Sequence, residues 1–246
     1  MIYFLVEVDT MIEKLKKAIE DSEKIVFFTG AGMSTDSGIP DFRSETGLYR
    51  NNLHAEEIIS HSYFFMDPEG FYEFYKDKMV YEDAKPNYGH LFIADLEKDK
   101  DVTVVTQNID GLHQAAGSHK VYELHGSIHR NYCMKCHRPY SLAAILEQKG
   151  VPYCECGGII KPDVVLYEEG LDPDVISGAV DAIANADMMV ILGTSLNVYP
   201  AAGFINYFRG RHLAIVNKSE TPKDRMCEIV IHDSISKTFK ALSETD

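Results

Sequence analysis

No stretch of this chain holds the roughly 18 consecutive apolar residues that a membrane-spanning helix needs, so no span is expected. A secretion signal is missing as well. Residues 1–8 are apolar but short, include Glu7, and lack a basic lead and a small-residue cleavage site. The expected compartment is the cytoplasm. Basic residues are scarce, 24 against 38 acidic ones, for a formal net charge of -14. Such a field repels nucleic-acid phosphates and favours basic partners such as lysine-rich protein segments, although acidity also serves simply to keep a protein soluble. There is no block of like charge long enough for a disordered tail, no internal repeat and no low-complexity tract. The cysteines number five: Cys133, Cys136, Cys154, Cys156 and Cys227. An odd count without a secretion signal argues against a disulfide framework.

What is present is an ordinary core. Hydrophobic residues make up 45% of the 246 and charged residues 25%, which fits one large α/β domain, or one domain carrying a small insertion. Residues 10–20 place Met11, Ile12, Leu15 and Ile19 on one helical face, and Asp21-Ser22 closes that helix. Residues 24–29 (KIVFFT) form a short, nearly continuous apolar run, the pattern of a buried parallel strand. Similar runs recur at 102–106, 188–192, 213–216 and 228–231, with a shorter one at 121–124. Helical patterns at 88–97, 174–185, 202–208 and 236–242 lie between or after them. Alternation of this kind predicts an α/β fold with a mostly parallel, Rossmann-like sheet covered on both faces. Two stretches interrupt it. Residues 36–80 are rich in aromatics and read as a loop followed by short helices; residues 127–160 carry the cysteine cluster, with little strand character beyond short ladders.

The first strand runs straight into Thr29-Gly30-Ala31-Gly32-Met33-Ser34. Small residues there let the backbone approach a diphosphate, and a following helix would aim its amides at the anion. A plain tight turn is the simpler alternative. Thr35 occupies the third glycine position of the dehydrogenase fingerprint, and no acidic residue ends a clear second strand about twenty residues on, so ordinary hydride transfer is disfavoured.

The cysteines form C-x2-C (Cys133, Cys136) and C-x-C (Cys154, Cys156), a set of four thiolates suited to tetrahedral zinc. The tight second pair relies on Gly157-Gly158 for its turn, and His137 stands by as a substitute ligand. Four protein ligands leave no open coordination position, so the zinc is expected to be structural. A redox pair is the competing possibility, but this C-x-x-C does not open a helix after a strand. Cys227 is expected to be a buried apolar residue near the last strand.

The turn continues as GAGMSTDSGIPDFR, Gly30 to Arg43, and this stretch resembles the signature of the sirtuin family in its bacterial type. Further matches follow in family order: Thr106-Gln107-Asn108-Ile109-Asp110, Leu124-His125-Gly126, the paired cysteines, Lys161-Pro162-Asp163-Val164-Val165, Gly193-Thr194-Ser195 and Val216-Asn217. The resemblance implies NAD-dependent deacetylation of acetyl-lysine in proteins, yielding nicotinamide, free lysine and O-acetyl-ADP-ribose. It implies His125 as the base and Asn108 as the residue that orders the ribose and a water. Gln107 would touch the ribose, Ile109 and Asp110 the nicotinamide carboxamide, Phe42 would shield the reacting bond, and Arg43 would reach the phosphates. Gly30, Ala31, Gly32, Ser34, Thr35 and Asp41 complete the expected NAD contacts on that side; Gly193, Thr194, Ser195, Asn217 and Ile235 complete them around the adenosine. A loop holding Gly38 and Gly47 could move on cofactor binding.

The acyl-lysine peptide is expected to pair as an added strand against Val164, Val165, Leu166 and Tyr167 on one side and Val198 on the other. The family's usual F-G-E is replaced by Tyr167-Glu168-Glu169. Phe74-Tyr75 with Lys78 lies where some relatives bind acidic acyl groups; lysine lacks the arginine fork, which favours acetyl over succinyl. Expected domains are an NAD-binding unit of residues 1–126 and 161–246, with a helical module within 36–80, and an inserted zinc module of residues 127–160. The expected form is a monomer acting on acetylated proteins or peptides, with no direct nucleic-acid or membrane contact. Protein ADP-ribosylation and a non-catalytic NAD or ADP-ribose sensor are the alternatives.

Overall fold

The computed structural model describes residues 2–41, 47 and 54–244, with side chains from residue 10 onward. Phe42 and Arg43 lie outside the described residues. In chain order the helices are α1 (Ile2–Glu20), α2 (Ala55–Ile58), α3 (His61–Met66), α4 (Pro68–Phe74), α5 (Tyr88–Leu96), α6 (Leu112–Ala116), α7 (Leu142–Leu146), α8 (Pro173–Ala184) and α9 (Ile235–Glu244). The strands are β1 (Lys24–Thr29), β2 (Asp101–Thr106), β3 (Val121–Glu123), β4 (Gly126–Cys133), β5 (Pro139–Tyr140), β6 (Ile160–Val164), β7 (Met188–Leu192), β8 (His212–Val216) and β9 (Ile229–Ile231).

Six strands form one sheet in the order β3-β2-β1-β7-β8-β9, and every pairing in it is parallel. The chain lays strands outward from β1 on one side, then returns to lay β7, β8 and β9 on the other. This is the order of a dinucleotide-binding sheet, with its switch point between β1 and β7. The alternation within β1 explains why both faces are covered. Ile25 and Phe27 belong to one core with Leu15, Val190 and Phe239, beneath α1, α5 and α9. Val26 and Phe28 belong to a second core with Ile183, Ile191 and Ile205, beneath α8. Burying each of these large side chains contributes about 1.5–3 kcal/mol.

Three local expectations change. The first helix starts at Ile2, well before residue 10. The segment Ala201–Tyr207 is a 3-10 helix. Among the described residues no α-helix directly follows the glycine turn: two single 3-10 turns, Ala31–Met33 and Thr35–Ser37, stand there instead.

Residues 127–160 also carry more strand than their sequence suggests. β4, β5 and β6 make an antiparallel sheet in the order β5-β4-β6, and its outer strand ends at Val164. A register shift between Ser127 and Asn131 breaks the period-2 signal that would have marked β4. This sheet and the short helices share one core, in which Phe64, Phe71, Tyr72 and Tyr75 pack against Cys133, Ile145 and Ile160. The two accessory modules are therefore packed on each other. Among the described residues, no helix is long and apolar enough to cross a membrane.

Two histidines sit fully buried below the carboxyl ends of β1 and β2. Asn87 caps α5, and its backbone N–H donates to His90 Nδ1 at 3.3 Å. The His90 and His113 rings lie 4.8 Å apart, and His113 Nε2 is 3.0 Å from Thr29 Oγ1. Burial pushes His90 down to about 4 and His113 well below its ordinary value. The unfolded chain binds protons at these rings near pH 6.5 while the folded one does not. Their contribution is thus complete above about pH 6.5 and is lost as pH falls from there towards 4. We expect the melting temperature to drop across that window and His113→Asn to flatten the drop. An identical slope in the variant refutes this assignment.

Candidate active site and metal site

The crevice lies at the switch point. Gly30 N donates to Leu192 O at 3.0 Å and Gly32 N to Gly193 O at 2.8 Å, so the turn after β1 is bonded directly to the turn after β7. Gly193 has φ +58, and a Cβ there would stand 2.4 Å from the Gly32 carbonyl carbon. The glycines thus serve first to let two backbones touch, which the sequence pattern alone had assigned to diphosphate approach. A cavity of about 850 Å³ opens over this contact.

That cavity collects residues from distant parts of the chain. Gly30, Ala31, Gly32, Ser34, Thr35 and Asp41 line it from the first turn, and Gln107, Asn108, Ile109, Asp110 and His125 from the ends of β2 and β3. Gly193, Thr194, Ser195, Asn217 and Ile235 line it from the β7, β8 and α9 side. Val164, Val165, Leu166, Tyr167 and Val198 line it from the accessory side. Ile59, Met79, Ile128 and Lys218 also line it and were not singled out from the sequence. Only Lys218, adjacent to Asn217, had a local signal; Ile59, just past α2, and Ile128, in β4, read as core.

The polar groups are tied together. Ser34 Oγ donates to Asp110 Oδ2 at 2.6 Å and accepts from Asn108 Nδ2 at 3.2 Å. Asn108 Nδ2 also donates to Gly30 O at 3.1 Å, and Asn108 N to Thr106 Oγ1 at 3.0 Å. Gln107 Nε2 donates to Thr194 Oγ1 at 3.0 Å. Asp110 Oδ1 accepts from Leu112 N, so the turn-and-cap role and the cavity position coexist in one residue. Burial raises the Asp110 carboxyl, while the Ser34 hydroxyl and Leu112 amide pull it down. Ser34, 1% exposed, acts here as a link between the two loops.

His125 Nδ1 lies 2.8 Å from Gln107 O. A carbonyl can only accept, so Nδ1 carries the proton and Nε2 is left as the basic nitrogen. Burial lowers this imidazole below its ordinary value, partly offset by the bond to Gln107, and it stays neutral at neutral pH. The glycine that follows is required: Gly126 has φ +76, and a Cβ there would stand 1.9 Å from Asp163 O on β6.

Tyr75 does not reach the cavity. It is fully buried, its ring stacked on Phe71 at 5.8 Å. Lys78 does line the cavity, with Nζ 2.8 Å from Asp77 Oδ2. Of the two residues singled out from the sequence for acidic acyl groups, Lys78 lines the cavity and Tyr75 does not.

The four clustered cysteines meet. Their sulfurs all lie within 4.8 Å of one another, with Cys133–Cys156 at 3.4 Å and Cys136–Cys154 at 3.6 Å. A tetrahedron with Zn–S bonds of about 2.3 Å places sulfurs about 3.8 Å apart, so the donor set fits zinc. Gly157 N donates to Cys154 O at 2.8 Å, closing the tight C-x-C turn. His137 is outside this four-sulfur cluster. The site is positioned to bind a structural metal and supplies no open position for chemistry. Cys227 is half-buried against the second core, its thiol pushed up to about 11 by burial, and so is less enclosed than expected.

The Sir2 family model matches residues 30–200. The chain belongs to the Sir2 family. Among curated Sir2 relatives, the NAD-dependent protein deacetylase of Clostridium perfringens is 57% identical over 238 residues, covering 94% of this chain and 98% of its own. That of Clostridium acetobutylicum is 53% identical, covering 94% and 97%. A solved Sir2 with p53 peptide and NAD+ superposes with a TM-score of 0.84 at 37% identity, covering 95% of this chain and 97% of its own. A Sir2 bound to acetylated peptide gives 0.83 at 35% identity, covering 95% and 97%. The fold and the resemblance read from the sequence therefore agree with the comparisons.

Chelation separates a structural from a catalytic metal in this Sir2 chain. Stripping the metal, or Cys136→Ser, is expected to lower the melting temperature and increase proteolysis within residues 127–160. Loss of turnover with both measures unchanged is the contrary result.

Proposed function

We propose that this chain removes acetyl groups from protein lysines with NAD as co-substrate, and that His125 is its base. The observation that carries this reading is the single neutral imidazole in the cavity, held as one tautomer by the Gln107 carbonyl next to Asn108. NAD, when bound, would supply a ribose carbon from which the acyl oxygen displaces nicotinamide; addition of one water and cleavage of the acyl–nitrogen bond would then leave free lysine and the acetyl group on ADP-ribose. His125 Nε2 takes the proton from a ribose hydroxyl. Asn108, fixed by Gly30 O and Ser34, orders the ribose and a water. Asp110 retains acceptor capacity for the carboxamide, because each carboxylate oxygen has two lone pairs. Phe42 and Arg43 belong to the same assignment.

The peptide lies between Val164–Tyr167 and Val198. Apolar lining from Ile59, Met79, Ile109 and Ile128, together with the removal of Tyr75 from the cavity, favours a neutral acyl group. Residues 1–126 and 161–246 carry the NAD-binding function and 127–160 the metal-held module, whose small sheet runs on through β6 to Val164. The proposed working form is a cytoplasmic monomer.

Incubation with NAD and an acetyl-lysine peptide is expected to release nicotinamide and free lysine in equal amounts. His125→Ala should lower kcat/KM by about 10²- to 10⁴-fold, the usual yield of a positioned base. Retained activity in this variant rules out the base. The base must be neutral, so the acid limb of kcat/KM should have its midpoint below about pH 6.5. A succinyl-lysine peptide should be the poorer substrate; equal turnover contradicts the neutral-acyl reading.

A further inference from the structure

The departure at Tyr167-Glu168-Glu169 has a physical counterpart. Glu168 adopts φ +73, a left-handed backbone that is strained for a residue with a Cβ. Its carboxylate Oε2 accepts from Ser62 N at 2.9 Å and Ser62 Oγ at 2.6 Å. The neighbouring backbone is bonded to the same segment: Tyr167 N donates to Ile59 O at 3.0 Å, and His61 N donates to Tyr167 O at 2.9 Å. Glu169 extends the contact, with Oε1 3.1 Å from His61 Nδ1 and Oε2 accepting from Leu166 N at 2.8 Å and Lys161 Nζ at 3.2 Å. Two acidic side chains thus fasten one wall of the groove to the start of α3.

We infer that Glu168 is a positioning residue for peptide binding, a staple that holds the Val164–Tyr167 wall against α3 at the width an extended peptide needs. This rests on the proposed reading of that groove as the peptide site. Strain and staple oppose each other, and this opposition decides the outcome of substitution. A glycine relieves the strain and loses the staple. An alanine keeps the strain and loses the staple. A glutamine keeps both, because its amide oxygen can accept the two Ser62 bonds without a charge. The Ser62 bonds hold the Glu168 carboxyl below its ordinary value, so it is an anion and an acceptor at neutral pH. A carboxylate at the groove mouth could instead act by attracting basic residues that flank the acyl-lysine, and the variants separate the two effects. Preorganisation of a loop changes the affinity of what binds it and leaves distant contacts alone.

The test measures KM for an acetyl-lysine peptide, KM for NAD, kcat and melting temperature in Glu168→Gln, Glu168→Ala, Glu168→Gly, Ser62→Ala and Val198→Glu, with peptides whose flanking residues are basic or acidic. Glu168→Ala and Glu168→Gly should each raise the peptide KM about three- to tenfold, the loss of up to about 1.4 kcal/mol, with NAD KM unmoved. Glu168→Gly should melt no lower than the native chain. A role in folding alone cannot produce a stable protein with weakened peptide binding. Ser62→Ala, which retains one of the two bonds, should fall between, and Glu168→Gln should stay within about twofold of the native peptide KM. If Glu168→Gln loses as much as Glu168→Ala, and only with basic-flanked peptides, charge attraction replaces the staple. If Glu168→Ala and Glu168→Gly leave the peptide KM unchanged while Val198→Glu raises it, the staple alone is wrong. If Val198→Glu also leaves it unchanged, the groove assignment itself is wrong.

Discussion

Everything in the site depends on two backbone turns that touch. The turn after β1 and the turn after β7 are bonded through Gly32 and Gly193 with no side chain between them. This contact closes the floor of the crevice where the strand order reverses. The polar groups of the β2 turn, Gln107 to Asp110, then come within reach of both: Asn108 bonds Gly30 O on one side, and Gln107 bonds Thr194 on the other. The cavity is thus made by a parallel sheet that must bring three strand ends together, and the side chains are added to a backbone that is already fixed.

How far this was legible in the sequence depends on the residues. β1 and β7 lie where their apolar runs predict, because a parallel strand buried on both faces needs a continuous hydrophobic stretch. The motifs after those strands were legible for the same reason: a strand end followed by glycine or short polar residues has few other uses. β4 was not legible as a long strand. Its burial alternates irregularly, with Arg130 exposed and Asn131 buried, and the register shift hides the period. The aromatic stretch before residue 80 had no readable period either, because its short helices bury aromatics into a core completed by residues some seventy positions later. Nor could sequence alone place Glu168 at positive φ, since what offsets that backbone is Ser62, far away in the chain.

The electrostatic design is economical. Among the described residues, His125 is the one imidazole lining the cavity, and a main-chain carbonyl decides which of its nitrogens is basic. Two fully buried histidines lie underneath, neutral: His113 meets Thr29, whose hydroxyl bonds Thr106, and the His90 ring packs against His113. Thr106 Oγ1, part of this hydroxyl chain, also accepts from the Asn108 main-chain N–H.

The ladder of β4 and β6 has its own logic. At one end Gly126, the neighbour of His125, faces Val164 of the groove wall; at the other, Cys133 faces Ile160. His125 and the sulfur cluster therefore lie at opposite ends of one pair of strands, whose ladder is divided by the register shift between Ser127 and Asn131. A slip of register beyond Asn131 would displace the sulfur cluster and could be taken up at that existing shift, so the irregularity insulates the His125 end of the ladder from the cysteine end.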